Sequence, residues 1–411
     1  MLVSVLLVMQ KMRKQLASIS AKRRRPLCCR PLPTLALICV AVFIGSAFFV
    51  TDCKEKKSAF GMLDFLLGTR SKNCEEKCRP SGSEPLPRGI VSSTSDLEMR
   101  PLWGAPAKKK LNTMNLLAMA VGMKQKESVD NIVKKFIGSN FVVMLFHYDG
   151  NVDDWGEFDW SSHVLHIAAS RQTKWWFAKR FLHPDIVSEY SYIFLWDEDL
   201  GVQSFNVQRY LSVIKKEGLE ISQPALDPDK SEVHHELTAR QIGALVHRRI
   251  NKVLPGRKKC DENSSEPPCT GWVEMMAPVF SRAAWRCAWY MIQNDLVHAW
   301  GVDFQLGYCA QGDRTRNIGI VDSDYVVHYG LPTLGGASGN KTDEASNQAA
   351  EAGSSLNSLE GGTSTSDKPD PRTEVRKQSL TDLERFKNRW KKAVKDDDCW
   401  KDQFRQSSKN S

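Results

Sequence analysis

Three consecutive acids, Asp197, Glu198 and Asp199, follow the apolar run Tyr192 to Trp196 in the stretch YSYIFLWDEDLGV. Adjacent carboxylates repel one another, so their clustering suggests a positive partner. A divalent cation is the simplest one. Mg²⁺ or Mn²⁺ takes oxygen ligands, usually one or two protein carboxylates, and completes its shell with water and substrate phosphate. The aromatic and β-branched run before the acids reads as a strand buried on both faces. In an open α/β sheet ligands bind outside the carboxyl ends of the strands, which is where this D-x-D falls. A solvated acidic turn after a core strand is the alternative.

Further candidates lie downstream. GWVEMMAPVF is apolar enough for a strand and carries Glu274. Gly301-Val302-Asp303 precedes FQLGYCA, so Asp303 stands either as a helix cap or as a carboxylate aimed into a site. The extended segment IVDSDYVVHY carries His328, and a lone strand histidine is equally a satisfied core residue. Trp285, Ala288, Trp289, Ile292 and Leu296 recur at helical spacing and read as packing.

The elements that must hold these residues alternate in type. LLAMAVGM reads as a strand, SVDNIVKKFIG as a helix, and FVVMLFHYDG and HVLHIAAS as strands. TKWWFAKRFL is a helix feeding the acidic strand, FNVQRYLSVIKKEG another helix and LEISQPAL a further strand. Such alternation predicts an α/β domain over residues 111–335, Rossmann-like in order and built on a mainly parallel sheet. No G-x-G-x-x-G opens the first helix, which disfavours a dinucleotide dehydrogenase.

The 411 residues suffice for one large domain or two ordinary ones, with appendages. Of the net charge of +9, eight positive charges precede residue 32, with no acid among them, and the remainder is nearly neutral. That distribution sets aside non-specific nucleic-acid binding. Residues 32–50, LPTLALICVAVFIGSAFFV, contain no charge and are long enough to span a bilayer once. The basic tail 1–31 on their N-terminal side predicts a signal anchor, with a cytosolic N-terminus and the rest across the membrane. A cleaved signal peptide would need a shorter apolar core and a small-residue cleavage site, whereas this run ends in Phe48, Phe49 and Val50.

Eight of the 11 cysteines then face an oxidising lumen. Cys260 and Cys269 bracket a polar loop and are the expected pair, while Cys74 and Cys78 could form a local bridge. Asn263 and Asn340 open N-glycosylation patterns. Residues 51–110 read as a stem, and 336–379 as polar low-complexity sequence unable to bury a core. Over 380–405, Leu383, Phe386, Trp390 and Val394 form one apolar helix face expected to dock on the body, where Cys399 could be tied.

Four runs carry a resemblance: TKWWFAKRFLHPDIVSEYSYIFLWDEDLGV, EISQPALDPDKSEVHHELT, CTGWVEMMAPVFSRAAWRCAWYMIQNDLVHAWGVDFQLGYCAQGDR and VVHYGLPTLG. They closely resemble a plant family of unknown function labelled "lysine-ketoglutarate reductase trans-splicing related". That label fits neither the missing dinucleotide fingerprint nor the anchor. By motif order the family is similar to GT-A-type glycosyltransferases, many of them Golgi proteins with an anchor, a stem and a luminal domain. The resemblance implies a type II Golgi enzyme moving a sugar from a nucleotide sugar to a glycan or glycoprotein. It implies Asp197 and Asp199 as ligands of Mn²⁺ or Mg²⁺, with Glu198 between them at the nucleotide, and His328 completing the shell. Asp303 takes the place of the catalytic base, with Glu274 as the alternative. Lys174 and Arg180 could contact phosphate, and Trp272 could stack on a sugar, although a solvated helix face and core packing explain them equally well. The rival readings are an inactive domain of the same fold that partners other Golgi glycosyltransferases, and a metal-dependent phosphoesterase.

Overall fold

The computed structural model describes residues 79–94, 114–231, 233–254, 259–331 and 371–404. The chain divides into two units, Met1–Cys78 and Arg79–Ser411, and every described residue belongs to the second. The expected basic tail and membrane span, Cys74, Cys78 and Asn340 lie outside the described residues. Among the described residues no helix is long and apolar enough to cross a membrane.

Strand β1 (Asn115–Val121) is buried at all but one position, as a central strand covered on both faces must be. Helix α2 (Lys126–Phe136) follows, burying Val129, Ile132, Val133 and Phe136, an i, i+3, i+4, i+7 stripe. Next come β2 (Phe141–His147), β3 (Leu165–Ala168) and α3 (Lys174–Phe181), whose N-cap Thr173 accepts from Trp176 N. The acidic strand β4 (Tyr192–Trp196) leads into the short β5 (Leu200–Gly201). Helix α4 (Val207–Lys216) is capped by Asn206, whose side chain accepts from Arg209 N, and β6 (Ile221–Leu226) is buried throughout. Then follow β7 (Val246–His247), β8 (Val279–Ser281), α5 (Arg282–Met291), a 3₁₀ helix (Asp303–Cys309), α6 (Arg314–Asn317) and β9 (Ile318–His328).

The strands order as β3-β2-β1-β4-β8-β6-β9-β5, with β7 also on β9. The fold is mixed α/β. Pairings β3/β2, β2/β1, β1/β4 and β6/β9 are parallel, whereas β8 runs antiparallel to both β4 and β6. The mainly parallel sheet is thus corrected to two parallel groups joined through one antiparallel strand, with antiparallel β5 and β7 on β9. GWVEMMAPVF is likewise not one strand: only Val279 onward pairs as β8. Pro278 has no N–H to give a ladder, and its carbonyl accepts from Leu195 N. The aromatic stripe of α5 packs as expected, with Trp285 and Trp289 fully buried, although the helix ends at Met291.

Part of the segment read as a stem belongs to the folded body. Leu86, Ile90 and Val91 are buried, and α1 (Arg88–Thr94) lies against the C-terminal helix α7 (Pro371–Asp396). A Cβ on Gly89 would come within 2.8 Å of the Ala393 methyl, so the two helices touch where both side chains are smallest. Phe386, Trp390 and Ala393 are buried, and Tyr308 packs between Trp390, Trp400 and Phe404. Cys260 pairs with Cys269 as expected, Cys287 pairs with Cys309, and Cys399 is disulfide-bonded. If α7 is part of the core, Phe386→Ala should cost about 3–5 kcal/mol in denaturant unfolding. Exposed Glu384→Ala should stay within about 0.5 kcal/mol, and equal small effects of the two would show α7 to be an appendage.

Candidate functional site

Strands β1, β2 and β4 end side by side, with Val121 opposite His147 and Met119 opposite Trp196. The three acids emerge at that edge and go to separate partners. Asp197 Oδ1 accepts from Lys174 Nζ at 2.6 Å. Glu198 is buried; its Oε2 accepts from Gly122 N at 2.7 Å and its Oε1 from the Tyr148 hydroxyl at 2.5 Å. Burial drives this carboxyl up to about 8, with the charges of Asp199 and Asp197 adding to the rise and the Tyr148 and Gly122 hydrogen bonds opposing it. Asp199, also buried, accepts from Leu331 N at 2.9 Å and lies 3.6 Å from His328 Nε2. Burial and then the Asp197 charge raise its carboxyl, against His328 and Leu331.

A second strand of chain, 272–276, runs beside the turn. Asp197 N donates to Met276 O at 2.8 Å, and Lys174 Nζ donates to Met275 O at 2.6 Å. Three residues earlier, at most about 10 Å of chain, Trp272 Nε1 donates to Asp303 Oδ2 at 3.2 Å. The Asp303 carboxyl also accepts from Gly301 N at 3.1 Å, and burial raises it to about 6 against the Trp272 hydrogen bond. Asp303 thus bonds back to the residue two before it, while the N-cap position belongs to Val302. Glu274 Oε2 accepts from Thr238 Oγ1 at 3.1 Å, while Glu274 N donates to Gln223 Oε1 at 2.6 Å. The loop VHHELT closes over both halves: His235 packs edge-on to Trp272 at 4.5 Å, and His234 stands 6.1 Å from the His328 ring. Burial, then His234, lowers His235 to about 4, so its ring is neutral at pH 7.

The structure therefore gathers Lys174, Asp197, Asp199, Trp272, Glu274, Asp303 and His328 around one edge and leaves two candidates away from it. Arg180 is exposed on α3 and lies over Trp176 at 5.0 Å. Glu198 is turned inward, where its two oxygens join the ends of β1 and β2. The expected metal set does not fit a cation as arranged. Lys174 takes Asp197, Leu331 N takes Asp199, and among the described residues no three His, Cys, Asp or Glu side chains are placed to hold a metal ion.

The family model described as "Protein of unknown function (DUF707)" matches residues 77–396. The chain belongs to that family. The matched span starts inside the segment read as a stem and ends with α7. Its description carries neither the reductase nor the splicing label. No curated protein matches the chain. Among solved structures, the glycosyltransferase GlyE of Streptococcus pneumoniae TIGR4 is similar at 11% identity and a TM-score of 0.30. The match covers 69% of this chain and 64% of that one, so the chain spans less than two thirds of GlyE, and at that level the likeness carries no argument.

Several residues of this DUF707 site were not singled out from sequence. Tyr148 and Gly122 carry no motif, although Gly122 is needed: a Cβ there would stand 2.5 Å from the Tyr148 hydroxyl. Gln223, buried beneath Glu274, leaves its Nε2 without a hydrogen-bond partner among the described residues. The paired histidines of VHHELT were a visible signal, since adjacent histidines in a polar loop are uncommon chemistry-bearing groups.

Glu198 makes stability pH-dependent. Its folded value is raised above its ordinary 4.5, so its contribution is fully present below that and lost as pH rises through about 8. Thermal melts from pH 5 to pH 9 should show the wild type losing stability and Glu198→Gln losing distinctly less. Parallel curves for the two would remove Glu198 as the cause.

Proposed function

We propose that the folded body is a glycosyltransferase that binds a nucleotide sugar at the carboxyl edge of its sheet and moves the sugar to a glycan or glycoprotein hydroxyl. The observation that carries this reading is the Asp303 carboxyl. It is held by Trp272, raised to about 6, and tethered through 272–276 to the Lys174–Asp197 pair. A base near neutrality at one end and a charged anchor at the other, at most a few residues apart, suit acceptor and donor respectively.

In the step itself the acceptor oxygen forms a bond to the anomeric carbon. The bond from that carbon to the diphosphate breaks, and the leaving nucleotide keeps the electron pair. The acceptor proton passes to the Asp303 carboxylate, whose orientation Trp272 fixes. Trp272 itself is buried and positions this carboxylate instead of offering a face to sugar. Glu274, engaged by Thr238, is the second carboxylate within the same segment. The setting that goes with this reading is the Golgi lumen behind the 32–50 span, and no step depends on a metal ion.

Transfer from a panel of nucleotide sugars to mixed glycan acceptors tests the reading. Asp303→Asn should lower transfer by about 10²-fold or more, as expected for a lost general base, while nucleotide binding persists. Wild-type transfer should fall as pH drops through about 6, where the carboxylate takes up its proton. If the folded protein binds no nucleotide or sugar nucleotide at all, the assembly-partner reading replaces this one.

A further inference from the structure

We infer that the cation serving the acidic turn is the Lys174 ammonium itself, so that this site takes a nucleoside diphosphate without a divalent metal ion. This rests on the nucleotide-sugar reading above and names how the phosphate is held.

The first ground is where the ammonium sits. Lys174 opens α3 directly after the N-cap Thr173, and its neighbour Trp175 is buried, so its backbone is fixed. Its Nζ donates at 2.6 Å to Asp197 Oδ1 and at 2.6 Å to Met275 O. The lysine side chain retains 8% of its accessible surface and that of Asp197 37%, so the amine lies inside and the carboxylate at the rim. A Mg²⁺-type ion must come to about 2.0–2.1 Å from a carboxylate oxygen. At Asp197 it would meet an ammonium already seated on the same carboxylate, and two cations repel. Withdrawal of the ammonium is opposed by the Met275 carbonyl and by the Trp175 ring 5.2 Å away.

The second ground is that Glu198 has both oxygens engaged and that buried Asp199 has its Oδ2 engaged twice. Glu198 faces Gly122 and Tyr148, and Asp199 faces Leu331 N and His328. What remains open is the third N–H of the Lys174 ammonium, on the 8% of that side chain still accessible, and at the rim the second oxygen of Asp197. A lysine ammonium is a compact point charge that binds phosphate oxygen well, and an unshared carboxylate oxygen accepts a sugar hydroxyl. The pair can therefore receive both parts of a nucleotide sugar while neither charge is left bare.

The test is calorimetric titration of the full-length protein with UDP, GDP and ADP, once in EDTA and once with Mn²⁺. One nucleotide should bind equally in both buffers, and Lys174→Met should weaken it about tenfold or more, the size of one charge-assisted hydrogen bond. Because that variant can fold poorly, Mn²⁺ alone is also titrated into the wild type by electron paramagnetic resonance, where no site lost in Asp197→Asn should be seen. Nucleotide binding only in the presence of Mn²⁺, or a Mn²⁺ site abolished by Asp197→Asn, overturns the inference and leaves the proposed function standing. Absence of nucleotide binding in both buffers overturns both.

Discussion

Three carboxylates in succession at the end of a buried strand cannot all face the same space, and the fold around them is arranged to keep them apart. Asp197 meets Lys174 of α3, Glu198 meets Gly122 and Tyr148 beyond β1 and β2, and Asp199 meets Leu331 N and His328 at the end of β9. Each acid thereby ties the turn to a different part of the fold. Burial raises the carboxyls of Glu198 and Asp199, the two acids that are turned inward. The same separation exposes only Asp197, and it does so already paired.

The Asp303 side is held by different means. Gly301 adopts φ +95°, and a Cβ there would meet Leu383 of α7 at 3.1 Å, so the turn that presents Asp303 rests directly on the C-terminal helix. The Cys287–Cys309 disulfide joins the far end of that 3₁₀ helix to α5, and Tyr308 packs its ring against Trp390 of α7 and Trp400. A helix separated from the body by a long low-complexity segment thus supports the carboxylate to which we assign proton transfer. His247 contributes from the other side: it pairs with Asp322 at 2.8 Å and contacts Leu237 O at 2.7 Å, which anchors the VHHELT loop over Trp272.

Most elements were legible because burial imposes a period on the sequence. The stripe Val129, Ile132, Val133, Phe136 and the run Tyr192 to Trp196 could hardly be other than a core helix and a central strand. The antiparallel direction of β8 was not legible, since a three-residue strand has no period that tells direction. Nor was the membership of residues 79–94 in the body, because Leu86, Ile90 and Val91 sit among Pro, Gly and Ser and find their partners some 300 residues later. Among site residues, carboxylates and histidines could be named from type, whereas Tyr148, Gly122 and Gln223 matter only through what they touch.

The sequence alone determined that an α/β body would carry an acidic turn at a strand end, because hydrophobic periodicity and charge clustering are local properties of the chain. It also made Cys260–Cys269 the expected pair, since the turn-forming loop DENSSEPP, which sets the two cysteines nine positions apart, brings its own ends together. Tertiary structure decided which acid meets which partner: that Lys174 rather than open space lies against Asp197, that Glu198 turns inward, and that Trp272 reaches Asp303. Those outcomes depend on side chains separated by 23, 76 and 31 positions, as their pairings show. Electrostatics and hydrogen bonding act over a few ångströms of space, and only the packed sheet sets which residues share it.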